Sequence, residues 1–204
     1  MKHLWRLSIK IEQKALGLAL LSSLLFLSGC SSTPPPKKTY DNICSIFQHD
    51  PDWREAAQKS QKRWGTPPYV LMAMVHQESR FKPDAQPDRP YALGFIPLLR
   101  NSSAYGYSQA QDGTWNDYKK ATNRWSPSRS DIEDALDFMG WYNYQSHKRL
   151  KISRKDSYKL YLAYHEGQGG YSRRTYLKKP WLQKVAKKVA NRSRMYKRQY
   201  ARCS

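Results

Sequence analysis

Between Thr66 and Ser79 the apolar residues Leu71, Met74 and Val75 recur at helical steps, and Glu78 falls three positions further on, so the pattern predicts a helix whose core-facing stripe ends in an acid. Thr66 reads as its N-cap, and Pro67 and Pro68 suit a first turn. Asp52 to Trp64 has helix-forming composition with Pro51 at its entry and Gly65 at its exit, and forms the preceding arm of a helical hairpin. Ser130-Asp131-Ile132-Glu133 matches a capping box and opens a helix in which Ile132, Leu136, Met139 and Trp141 point inward. Tyr142 and Tyr144 extend that surface. Ser153 to Asp156 reads as a further cap, after which Leu160, Tyr161 and Tyr164 carry a helix to His165, closed by Gly167. The last predicted helix, Trp181 to Tyr200, puts Leu182, Val185, Val189 and Tyr196 on one face. With no internal repeat and no strand-rich stretch, the fold class predicted is all-α, in one domain.

Two features depart from this plain helical pattern. Lys82 to Tyr105 is crowded with proline, asparagine and serine yet holds Leu93, Phe95, Ile96, Leu98 and Leu99, which predicts an extended interior loop that is ordered and walls a cleft. Glu78 lies just before it. A carboxyl on a core-facing stripe loses water, which disfavours its charged form and raises its pKa, the condition for a general acid near neutral pH. The alternative is a glutamate fraying into solvent at a helix end.

Glu78-Ser79-Arg80-Phe81, then Gly106-Tyr107-Ser108-Gln109, then Ala163-Tyr164-His165-Glu166-Gly167 occur in the order of three signature motifs. They resemble those of the lysozyme-like lytic transglycosylases of the soluble-lytic-transglycosylase family, whose pattern is Glu-Ser-x-Phe, Gly-Leu-Met-Gln and Ala-Tyr-Asn-x-Gly. Roughly residues 60 to 170 carry the likeness. It implies Glu78 as the catalytic acid and then base, Ser79 placing substrate, Gln109 lining the cleft, and Tyr164 hydrogen-bonding Glu78 or the nearby sugar. From spacing alone Tyr164 is equally a core tyrosine. Tyr107 and Ser108 replace the Leu-Met pair at the cleft floor, and His165 replaces an asparagine that holds substrate. The implied reaction is cleavage of the MurNAc-GlcNAc bond of peptidoglycan, with the muramic C6 hydroxyl attacking C1 to give a 1,6-anhydro end.

The N-terminus has Lys2, Arg6, Lys10 and Lys14, then an apolar run from Ala15 to Leu27, which is the architecture of an export signal. Leu27-Ser28-Gly29-Cys30 resembles the lipobox of bacterial lipoproteins, implying a signal peptide over 1–29, lipidation at Cys30 and a mature protein anchored in the cell envelope. An uncleaved helical anchor is the alternative. Ser31 after the cysteine resembles lipoproteins routed to the outer membrane, facing the periplasm. Residues 30–40, rich in proline, serine and lysine, read as a solvated tether, and 41–204 as the lysozyme-like domain. With Cys30 committed to lipid, Cys44 and Cys203 remain as a pair in an oxidising compartment and are expected to form a disulfide, worth on the order of 4 kcal/mol in the chain-entropy view. Two buried thiols are the alternative.

Lys and Arg number 36 against 16 acids, a net charge of +20. Twelve of these bases follow Tyr171 without a single carboxylate, giving a basic C-terminal helix. Such a face suits anionic lipid or wall polymer, or is merely solvated; an exported protein does not normally meet nucleic acid, so none is expected as a partner. Trp115 is a core anchor or a sugar platform. His76 and His165 lack the paired spacing of a zinc site, and neither metal nor cofactor is expected. A muramidase using Asp112 or Glu166 to activate water, and a non-catalytic wall-binding or envelope-assembly protein, are the competing functions.

Overall fold

The computed structural model describes residues 33–93 and 96–203. The expected signal peptide and Cys30 lie outside them. Seven α-helices are described: α1 (Ile43–His49), α2 (Pro51–Trp64), α3 (Pro68–Ser79), α4 (Asp112–Thr122), α5 (Ile132–Leu150), α6 (Ser157–Ser172) and α7 (Pro180–Tyr200). The strands β1 (Tyr91–Ala92) and β2 (Ile96–Pro97) pair antiparallel within the long loop. Among the described residues the protein is all-α apart from this two-residue ladder and an isolated bridge between Tyr105 and Ala110.

Local chemistry explains the ends of the helices. Asp50 caps α2 by accepting from the Asp52 amide at 3.0 Å, and Pro51 takes the first position, where its missing N–H costs nothing. Gly65 ends α2 at φ 83°, left-handed backbone that favours glycine, while the Arg154 guanidinium that a Cβ would meet at 2.3 Å could swing aside. Three expectations need correction. Thr66 does not cap α3: it is buried, and Pro67 occupies the cap position. The α5 cap is Asp131, whose Oδ1 accepts from the Asp134 amide at 2.9 Å, rather than Ser130. Gly167 does not close α6; it makes a kink at φ 71°, after which the helix resumes to Ser172.

Helix α3 is the centre of the fold. Val70 to Val75 are all fully buried, so the apolar positions surround the helix instead of forming the predicted stripe. It packs against α7 and α2, with α5 and α6 also touching it, while α2 packs on α5 and α6 on α7. The α2–α5 contact includes a polar knot. Asp137 accepts from Trp64 Nε1 at 2.7 Å, Arg63 Nη1 at 3.0 Å and Tyr118 Oη at 2.6 Å, joining α2, α4 and α5.

Cys44 and Cys203 are joined by a disulfide. Around it Gln199 accepts from the Ile43 amide at 3.1 Å and donates to the Asp41 carbonyl at 2.8 Å, so the chain enters the domain pinned to α7. The end of the presumed tether is structured. Lys37–Thr39 form a 3-10 turn, Pro35 is buried, and the Tyr40 ring packs edge-on against His76 and Phe81.

Candidate active site

Glu78 stands on the last turn of α3 and lines a cavity of about 550 Å³ with Gln77, Ser79, Arg80, Gln109 and, from the long loop, Lys82, Asp84, Ala85, Gln86, Pro87 and Arg100. The way the helix stops aims it there. Arg80 and Phe81 both take left-handed backbone, at φ 51° and 61°. Such a pair is strained in residues with a Cβ, at about 1–3 kcal/mol each. Phe81 is fully buried against Trp53, Tyr40 and His76, and its burial holds the turn in place.

The carboxyl of Glu78 keeps a window onto the cavity but is otherwise enclosed. Burial pushes its pKa up to about 7, against a smaller opposing effect of a hydrogen bond from Tyr161. Tyr161, 4% exposed, stands on α6 one turn before Tyr164, so both rings face the acid from one side. Burial and the nearby Glu78 carboxylate raise the pKa of both phenols, leaving them as neutral donors.

Gly106 makes the turn that presents the second motif. Its φ is 74°, and a Cβ would fall 2.0 Å from the Arg129 carbonyl. Gln109 donates to the Ala85 carbonyl at 2.7 Å and the Gly106 carbonyl at 2.9 Å, and the Gly106 amide reaches Ala85 as well, at 2.9 Å. The loop is thereby stapled to the floor and forms the cleft wall. Leu93 and Leu99 on this loop are 82% and 92% exposed. Gln109 also borders a second cavity, of about 290 Å³, lined by Tyr142, Tyr164, His165 and Glu166.

A family profile described as "Transglycosylase SLT domain" matches residues 18–203, nearly the whole chain. The chain belongs to that family. Its members are lytic transglycosylases, lyases acting on peptidoglycan, which makes this SLT domain an enzyme of the cell wall. No curated protein matches the chain.

Within this SLT domain the expected site residues are placed unequally. Glu78, Ser79 and Gln109 border one cavity and Tyr164 and His165 the next. The Ser79 hydroxyl donates to the Val75 carbonyl of its own helix at 3.2 Å. Tyr164 donates to the Ser108 carbonyl at 2.6 Å, so the tyrosine that hydrogen-bonds Glu78 is Tyr161 instead. Tyr107 is no part of the cleft floor: it is fully buried, edge-on to Trp53, because the larger ring has filled the core beneath the turn. Trp115 is also core, packed on Tyr118 and Phe138.

The other carboxylates are differently engaged. Glu166 pairs with Lys179 at 2.8 Å, accepts from Thr175 and contacts His165; burial works to raise its pKa, but these partners outweigh it and hold it at about 2. Asp112 pairs with Arg129 at 2.8 Å at the start of α4. Asp84, exposed on the loop, lines the Glu78 cavity itself, a placement no periodic signal announces in that proline-rich stretch. Among the described residues no cluster of three or more metal-ligating side chains occurs.

Proposed function

We propose that the protein is a membrane-tethered lytic transglycosylase that cleaves the MurNAc-GlcNAc bond of peptidoglycan and leaves 1,6-anhydro-muramyl ends. The observation that carries this reading is Glu78 enclosed beside Tyr161 at the edge of a sugar-sized cavity, its pKa pushed up to about 7 by burial, while Glu166 and Asp112 are tied up in ion pairs. Protonated Glu78 gives its proton to the bridging oxygen as the bond from that oxygen to C1 breaks. The carboxylate left behind, steadied by the Tyr161 hydroxyl, takes the proton of the muramic C6 hydroxyl as that oxygen bonds to C1. Glu78 ends as it began, and no water is consumed.

Mass analysis of digested peptidoglycan tests this. Products should carry anhydro ends, and Glu78→Gln should abolish them in a protein that remains folded; products heavier by one water overturn the reading. Asp84 favours a second reading, hydrolysis with Asp84 activating water, because it borders the same cavity. Asp84→Asn separates the two, since loss of all cleavage is expected only for the hydrolase.

The tether is residues 30–40, held by lipid on Cys30 once the apolar leader 1–29 is removed, with the enzyme facing the periplasm from the outer membrane. Incorporation of labelled fatty acid that disappears in Cys30→Ala is the expected outcome. The basic outer face of α7, including Lys184, Lys187 and Arg194, suits anionic lipid or wall polymer lying close to that anchor.

A further inference from the structure

A third cavity, of about 510 Å³, lies between α3 and α7 and meets the Glu78 cavity along Gln77 and Arg80, which line both. Gln77 and Arg80 are one helical turn apart, so they form a low ridge between two connected hollows. Cations line both hollows, Arg80, Lys82 and Arg100 in the Glu78 cavity, and the third adds to them from α7. Arg80, Lys188 and Arg192 converge on it against one acid, Asp41. Arg192 is spoken for, bonded to Asp41 at 2.8 Å and to the Tyr40 carbonyl at 2.7 Å. Arg80 and Lys188 are exposed and form no salt bridge to an acid among the described residues. His76 adds no charge: burial, with Arg192 and Arg80 beside it, holds its pKa at about 4. Ala73, Val185 and Met195 give the hollow an apolar floor.

We propose that this α3–α7 cavity is a subsite for the carboxylates of the peptide that peptidoglycan carries on its muramic residues. The assignment rests on the reading of the Glu78 cavity as the glycan site. Peptidoglycan strands are neutral along the sugars and bear their carboxylates on the peptide branch, so Arg80, two residues on from the catalytic acid, and Lys188, across the hollow on α7, match the branch and not the strand. The apolar floor matches its aliphatic side chains. A flat anionic lipid surface fits less well, because it meets protruding cations, whereas Arg80 and Lys188 border a concavity that shares Gln77 and Arg80 with the catalytic one.

The test uses the full chain carrying Glu78→Gln, so that binding is read without turnover. A synthetic acidic tetrapeptide of the peptidoglycan type is titrated by calorimetry beside the same peptide amidated at its carboxyls. The free-carboxylate form should bind about tenfold more tightly, and adding Lys188→Glu should erase the difference while leaving the melting temperature unchanged. In the otherwise native enzyme Lys188→Glu should lower kcat/KM on peptide-bearing strands about tenfold, relative to strands stripped of peptide by an amidase. Equal binding of the two peptides, or indifference to Lys188→Glu, overturns the subsite. So does an outcome in which Lys188→Glu weakens only binding to phosphatidylglycerol vesicles, which assigns the cavity to a lipid surface. Products with reducing ends would overturn the transglycosylase reading and leave the peptide titration standing, so the two failures are distinguishable.

Discussion

Glu78 and Glu166 border neighbouring cavities that meet at Gln109, yet their surroundings drive them in opposite directions. Glu78 forms no ion pair among the described residues, although Arg80, Lys82 and Arg100 line its cavity; burial dominates, and the carboxyl is pushed up to about 7. Around Glu166 a lysine, a threonine and a histidine converge, and the carboxyl is held at about 2. Coverage alone therefore does not make an acid catalytic. What separates the two is whether the covering atoms solvate the charge.

The sharpest way to break the comparison is Glu78→Gln, which keeps the shape and removes the proton. Cleavage of peptidoglycan should fall ~10³-fold or more, the scale of a lost general acid, measured as release of soluble muropeptides. Glu166→Gln should leave the anhydro product unchanged and show its effect in melting temperature. Equal loss of activity in the two variants would refute the division of roles.

Stability against pH separates them next, and in opposite senses. The raised pKa of Glu78 means the native state holds a proton that the unfolded chain has released, so stability falls as pH rises from about 4.5 through about 7. Glu78→Gln should thus stabilise the fold above pH 7, by on the order of 2 kcal/mol in denaturant titrations. The depressed pKa of Glu166 gives the reverse: its contribution is present above about 4.5 and is lost as pH falls through about 2. Lys179→Met should cost about 1–2 kcal/mol at neutral pH, a modest figure because Lys179 is 41% exposed and water screens the pair. The activity profile follows Glu78, with the rate dropping as pH rises through about 7.

The contrast also explains what was legible in the chain. Helix positions were, because long periodic segments such as Ile132 to Leu150 and Pro180 to Tyr200 state their buried face directly. Caps were less so: Ser130 and Asp131 are both good capping residues, and only the course of the preceding loop decides between them. Glu78 could be found because its motif and its place at the end of an apolar helix agree. Tyr161 could not, since a buried tyrosine on an apolar helix face reads the same whether or not its hydroxyl meets an acid from another helix. Tyr107 misled for a related reason. A motif position can be filled by a side chain that turns into the core, and the only sequence sign was its greater bulk. The exposed Leu93 and Leu99 show that apolar composition in a loop without periodicity does not by itself state a buried face.

The smallest effect expected comes from Tyr161→Phe, and it sharpens the comparison most. The hydroxyl is the single group that partly offsets burial at Glu78, a faint version of what three partners do at Glu166. Removing it should raise the Glu78 pKa further above 7 and move the alkaline limb of the activity profile upward by less than one unit. It should also lower kcat several-fold, since the carboxylate formed after the first proton transfer loses a hydrogen bond of about 1 kcal/mol, with KM little changed. Tyr164→Phe supplies the control. Its hydroxyl is spent on the Ser108 carbonyl, so it should leave the alkaline limb in place. A limb that moves with Tyr164 and not with Tyr161 would reassign the positioning role to the tyrosine of the third motif.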